Sequence, residues 1–206
     1  MEIVNTMKNN QKENIDEHTE NKNNDAFGEE KEEQNGDNNS FKAIYQDRKS
    51  ITAALSLSLQ KKLNPKNDTR IYIAKEVTFD YATGHAVRVD YVQFKPLNNS
   101  VSGIEKGDFY CYEIKSSVED FHSKNGHNFI GDFNYYVMPA EVYESIATEI
   151  PYFVGVLVPE GKSGKGDWYD LTIVKKARRR DRNKPLHEML FMMFRSCARD
   201  MWRKKA

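Results

Sequence analysis

The stretch GDFYCYEIKSSVEDF, Gly107 to Phe121, decides how this chain is read. Its alternation and its Phe, Tyr, Cys and Ile content predict a strand, yet Glu113 and Lys115 stand two residues apart within it. Alternate side chains of a strand share a face, so these two charges point the same way. On this reading Tyr110, Tyr112 and Ile114 face the core, and Phe109, Cys111, Glu113 and Lys115 occupy the opposite face. An exposed sheet face explains the two charges, and so does a reactive centre. SSVEDF then has the features of a helix start, with Ser117 as a cap and Asp120 three residues on.

Moving outward, VRVDYVQF reads as a strand with Asp90 in its middle, and IYIAKEVTF as another. In the latter, Ile71, Ile73, Val77 and Phe79 fall mostly on one face and Glu76 on the other. YATGH between them is a turn, so the two form a hairpin. Ahead of them, Asp47 to Leu63 carries Ile51, Ala54, Leu55, Leu59 and Leu63 at helical spacing. AALSLSLQ also alternates like a strand, but the length, the Lys61–Lys62 pair and the Asn64–Pro65 stop favour a helix. Beyond the opening stretch come FNYYVMP as a strand, AEVYESIATEI as a helix, and PYFVGVLVP and WYDLTIVKKA as strands. The last segment is a helix with Leu186, Met189, Leu190, Met193, Cys197 and Met201 on one face. This order predicts an α/β fold, a central mixed β-sheet flanked by helices.

Charge is distributed unevenly over the 206 residues. Positions 1–40 hold eleven acidic and four basic residues, a balance of −7, so a nominally neutral chain has a body of +7. The first forty positions lack large apolar groups and predict a disordered acidic, Asn-rich tail before a domain over 41–206. A basic body suits an anionic partner such as nucleic acid. No apolar run is long enough to span a bilayer, and the N-terminus lacks a signal-peptide core. Cys111 and Cys197 make no disulfide framework, which predicts a reduced, cytoplasmic chain.

Asp90, Glu113 and Lys115 are charges within apolar strands, where burial is costly without a partner or a cation. If the two strands are neighbours, Asp90 and Glu113 enter one cleft. With the Ile114 carbonyl they offer hard oxygen ligands for Mg²⁺, and Lys115 lies beside them to stabilise charge on an attacked phosphate.

Asp90 followed by Glu113-Ile114-Lys115, on elements ordered helix–three strands–helix–strand over 47–139, resembles the PD-(D/E)xK superfamily of restriction-endonuclease-like nucleases. KEVTF, TGHAVRVD, EIKSSVEDF and YYVMP together resemble the MmcB-like DNA-repair proteins and related small phage-encoded nucleases. The resemblance covers roughly residues 47–160. It implies an αβββαβ core and a Mg²⁺- or Mn²⁺-dependent DNA endonuclease acting in repair, recombination or phage DNA processing, with homodimers common among such enzymes. A non-catalytic DNA-binding or adaptor module on the same fold is the alternative. By the same resemblance Asp90 and Glu113 bind metal, Lys115 assists water attack, and Glu76 is a third acidic ligand or a supporting group. Two positions depart from the pattern. Val89 replaces the nominal proline, and SKNGHNFIGDF, with His127 and Phe129, replaces the basic–aromatic pair.

Other signals are weaker. GVLVPEGKSGKG fails the P-loop spacing, with five residues between Gly155 and Gly161. It predicts a basic loop whose Lys162 and Lys165 touch a phosphate backbone. His122 and His127 flank the expected cleft as phosphate contacts, and no cysteine stands at zinc-ligand spacing from them. KKARRRDRNK, with Arg178, Arg179 and Arg180, predicts a DNA-backbone clamp.

Overall fold

AALSLSLQ is helical in the computed structural model, which describes residues 47–162 and 169–203. Asp47 caps helix α1 (Arg48–Leu63), its carboxylate accepting from the N–H groups of Lys49 and Ser50 at 2.9 Å each. The alternation that imitates a strand is Ser56 and Ser58 set between leucines. Ser58 is buried, donates to the Ala54 carbonyl (2.8 Å) and accepts from the Tyr169 N–H (2.8 Å). The serine thus fixes the helix to a distant strand rather than breaking it.

The remaining elements are β1 (Tyr72–Phe79), β2 (Val87–Lys95), the short α2 (Val101–Glu105), β3 (Asp108–Ile114), α3 (Val118–Phe121), β4 (Phe133–Val137), α4 (Ala140–Ile146), β5 (Gly155–Lys162), β6 (Tyr169–Lys175) and α5 (Leu186–Arg203). The six strands form one mixed sheet in the order β1-β2-β3-β4-β5-β6. Pairs β1–β2, β2–β3 and β5–β6 are antiparallel, whereas β3–β4 and β4–β5 are parallel. Parallel neighbours need crossovers, and the segments containing α3 and α4 supply them.

Both faces of the sheet are covered. On one, Ile51, Leu55 and Leu59 of α1 cluster with Tyr91, Tyr112, Ile114 and Val137. On the other, Met189 and Met193 of α5 cluster with Val92, Phe94, Phe109 and Cys111, and Val142 and Ile146 of α4 with Tyr136 and Val156. The alternation along β3 is as expected, but the face carrying Glu113 and Lys115 is buried, not exposed. Burial also drives the Cys111 thiol upward in pKa.

Two expectations about faces need correction. In β1, Glu76 has a left-handed φ of 46° and is skipped between the Lys75–Tyr91 and Val77–Val89 pairs. The alternation changes phase there, so Ala74, Val77 and Phe79 share the α5 face while Ile73 packs toward α1. In α5 the buried stripe runs through Met189, Met193 and Ser196, leaving Cys197 and Met201 exposed. Ser196 is drawn in because its hydroxyl donates to the Lys75 carbonyl of the edge strand.

The basic run between β6 and α5 is tethered as a strap, although Arg178, Arg179 and Arg180 are exposed. Its anchor is Asp132, 1% exposed, which accepts from the Phe109 N–H (2.9 Å) and Arg182 (2.8 Å) and pairs with Arg179 at 3.4 Å. Arg179 also reaches Asp108 at 3.2 Å, Arg178 donates its N–H to the Phe153 carbonyl (2.9 Å), and the Arg180 guanidinium lies 4.0 Å from the Phe153 ring. Truncating Asp132 leaves the buried Phe109 N–H without its acceptor and takes the carboxylate away from Arg182 and Arg179. Asp132→Ala should therefore cost about 3 kcal/mol of unfolding free energy in denaturant titrations. A loss under about 1 kcal/mol would show that the strap is not anchored there.

Candidate active site

The β2–β3 ladder is paired from Lys95–Asp108 to Tyr91–Tyr112 and stops there. The next residues outward in this register are Asp90 and Glu113. Beyond the last pair the Asp90 carboxylate takes over the work of a strand neighbour, accepting the Ile114 N–H at 2.9 Å. On the other side β3 continues in parallel pairing with β4, Glu113 opposite Tyr136, and the Lys115 N–H reaches the Val137 carbonyl at 2.9 Å. The sheet splits at this point, at the carboxyl end of β3.

A cleft of about 600 Å³ occupies the split. Asp90, Glu113, Ile114 and Lys115 all line it, so four residues singled out in the sequence come together. Its walls add Arg48 from the start of α1, Arg88 from β2, and Lys124, Asn125 and Gly126 from the segment after α3. Tyr91, next to Asp90, is held from the α1 side, its hydroxyl accepting from Gln60 at 2.9 Å.

Lys115 is 2% exposed, and its ammonium donates to the carbonyls of Asn125 (2.6 Å) and Asp120 (3.1 Å). Burial pulls its pKa below the ordinary lysine value, opposed by Asp120, Glu113 and Asp90. Asp120 organises the loop around it. Its carboxylate accepts from the Ser116 N–H (3.0 Å) and hydroxyl (3.1 Å) and pairs with Arg48, while its N–H donates to the Ser117 cap (3.1 Å). Gly126 closes the loop at φ 75°. A Cβ there would lie 3.0 Å from the Lys115 Nζ and 3.1 Å from the Glu113 Oε2, so backbone sign and space both require glycine.

The two carboxyl groups are held at a cost. Glu113 is pushed up to about 8, first by burial and then by the neighbouring Asp90, with Lys115 opposing. Burial also raises Asp90, against the lowering effects of the Ile114 N–H, Arg88 and Lys115. Two oxygen acids in one cleft, each disfavoured as an anion, suit a hard divalent cation that keeps waters of its own. No group of three or more His, Cys, Asp or Glu that could hold a metal ion converges among the described residues.

Other expected site residues lie elsewhere. The left-handed φ of Glu76 turns its half-exposed side chain to α5, where it pairs with Arg199 (3.8 Å) and Arg203 (3.9 Å) outside the cleft. His122 pairs with Glu149 at 2.8 Å. His127 holds the loop, one ring nitrogen against the Tyr136 hydroxyl (2.7 Å) and the other against the Phe121 carbonyl (2.7 Å). Neither histidine lines the cleft. Arg178, Arg179 and Arg180 are in the strap at the Asp108 end of β3, about 20 Å along the strand from Lys115. Lys165 and the Lys162 side chain lie outside the described residues, as does the expected tail over 1–40. Sequence reasoning missed Arg48, Asp120 as a hub, and Gly126. Asn125-Gly126, a turn dipeptide directly after the α3 motif, was the available signal.

No family model matches this chain, and no curated protein does. Among solved structures it is similar to a protein of unknown function from Silicibacter pomeroyi, at 20% identity and a TM-score of 0.46, over 78% of this chain and 89% of that one. No helix among the described residues is long and apolar enough to cross a membrane.

The position of Glu113 gives a pH signature. Its pKa in the folded chain, about 8, lies above the ordinary value of 4.5. Between these two values the native state keeps a proton that the unfolded chain has lost, so stability falls as pH rises through that window. A metal-free Glu113→Gln variant escapes this loss. Thermal melts should show it more stable than wild type at pH 9, with the advantage shrinking toward pH 4. An advantage equal at both ends would mean that Glu113 is not held as described.

Proposed function

We propose that this cleft is the active site of a Mg²⁺- or Mn²⁺-dependent DNA endonuclease with a PD-(D/E)xK core. One observation carries the reading. Asp90 and the Glu113-Ile114-Lys115 run, from neighbouring strands, line one cleft where the β2–β3 ladder ends. The element order α1-β1-β2-β3 followed by α3-β4, interrupted only by the short α2, supports the same core.

Asp90 and Glu113 would hold the ion, with the Ile114 carbonyl as a further oxygen ligand. A bound ion supplies Lewis acidity toward a phosphodiester oxygen and acidifies a water ligand. Lys115, fixed by two carbonyls, places positive charge beside the attacked phosphate. Arg48, Arg88 and Lys124 on the walls offer contacts to flanking phosphates. Because Asp120 pairs with Arg48 and also receives Lys115, it positions both cations.

A second reading has one observation in its favour: the Lys115 ammonium is already engaged by Asn125 and Asp120. That arrangement also suits a non-catalytic DNA-binding module. The two readings separate on plasmid, branched and single-stranded DNA incubated with Mg²⁺ or Mn²⁺. The nuclease should cleave at least one of these, and Asp90→Ala or Lys115→Ala should reduce the rate at least about a hundredfold. Equal cleavage by wild type and variants would remove this mechanism. DNA binding without cleavage, and without Mn²⁺ uptake in calorimetry, would favour the binding module.

A further inference from the structure

The hairpin joining β1 and β2 carries an aromatic side chain that the proposed chemistry does not use. Tyr81 sits at the tip, 57% exposed, between two non-glycine residues with left-handed backbone, Asp80 (φ 50°) and Ala82 (φ 63°). Such a turn keeps its form only when its surroundings hold it. Here the Asp80 carboxylate receives Lys184 at 2.5 Å, and Lys184 also pairs with Glu188 of α5 at 3.0 Å. The Thr83 N–H and hydroxyl close the turn on the Asp80 carbonyl at 3.2 and 2.7 Å. An exposed tyrosine is therefore presented on a rigid mount.

One face of that ring is already covered. The Arg195 guanidinium of α5 lies 3.4 Å from the ring centroid. Arg195 differs from its neighbour Arg199, whose donors are taken by the Glu76 and Lys75 carbonyls (3.1 Å each) and by Asp200 (3.1 Å). Among the described residues no carboxylate pairs with Arg195, so its in-plane donors remain available to an anion. Tyr81, Arg195 and Arg199, with Thr78, Met192 and Ser196, line a separate cavity of about 300 Å³. The same hairpin runs directly into Ala86, Val87 and Arg88, which form a wall of the active cleft. An open aromatic face, an unneutralised guanidinium stacked behind it, and continuity with the cleft wall are the features of a stacking platform for nucleotides.

We propose that Tyr81 and Arg195 grip an unpaired strand of DNA next to the cleft, Tyr81 stacking on one base and Arg195 pairing with an adjacent phosphate. Bases within a duplex have both faces occupied by their neighbours, so this platform selects a single-stranded segment. The choice of DNA rests on the endonuclease reading, whereas the preference for an unpaired strand rests on the hairpin itself. The substrate class is accordingly DNA with a single-stranded arm, gap or flap.

The test is fluorescence anisotropy with the full chain in EDTA, so that no cleavage enters the readout, on labelled oligo(dT) and on a blunt duplex. Tyr81→Ala should weaken oligo(dT) binding at least about fivefold and change duplex binding less than about twofold, whereas Tyr81→Phe keeps the stacking face and wild-type affinity. Arg195→Gln should weaken oligo(dT) binding and flatten its salt dependence. Thermal melts confirm that each variant is folded. Tyr81→Ala binding oligo(dT) within about twofold of wild type, or losing equally on both probes, would overturn the grip and leave the cleft chemistry standing. Wild-type protein that binds neither probe would overturn both. Tyr81-dependent binding with no cleavage under Mg²⁺ would support the grip and sink only the nuclease.

Discussion

The structure depends on where one ladder of hydrogen bonds stops. Strands β2 and β3 pair as far as Tyr91 and Tyr112, and beyond that pair a side chain replaces the main chain when the Asp90 carboxylate takes the Ile114 N–H. Had the ladder continued, β2 would lie against β3 along the whole length of Glu113 and Lys115, and the cleft would be filled by backbone. Because it stops, the carboxyl end of β3 is free on one side and supported by β4 on the other. The crossover loop through α3 then folds over the opening, with Asp120, Asn125 and Gly126 around the Lys115 ammonium.

Two aspartates, Asp132 buried and Asp90 half-buried, differ in how their surroundings answer their charge. Asp132 receives a backbone N–H and two guanidinium groups and lies at the start of β4. Its surroundings answer its charge in full, as a buried carboxylate requires for stability. Asp90 has one N–H and a second acid for a neighbour, and Glu113 is forced well above the ordinary range. The fold tolerates this local cost because α1, α4 and α5 bury three apolar clusters around it. Perturbed acids in a lined cleft are where chemistry is expected.

Much of this was legible in the chain because the relevant signals are local. Alternation located β2 and β3, helical spacing located α1, and Ser117 capped α3 as its sequence suggests. Apolar strands containing Asp90, Glu113 and Lys115 drew attention to the residues that line the cleft. What failed depended on contacts across the fold. Glu76 lies beside Asp90 in a flat hairpin, but a single left-handed φ turns it to Arg199 and Arg203. Nor does the sequence show that the arginine run expected as a DNA clamp is met by Asp108 of β3 and by Asp132 and Phe153 of the connecting segments. Arg48 and Asp120 are 72 positions apart, and nothing local shows that they meet.

The proposed chemistry requires a divalent ion seated where the carboxylates of β2 and β3 enter the same cleft. Anomalous diffraction from crystals grown with Mn²⁺ addresses it directly. An anomalous peak is expected between the side-chain oxygens of Asp90 and Glu113, close to Ile114. Manganese found only at other acidic positions, with Asp90 bonded solely to the Ile114 N–H and Glu113 turned from it, would rule out this seat.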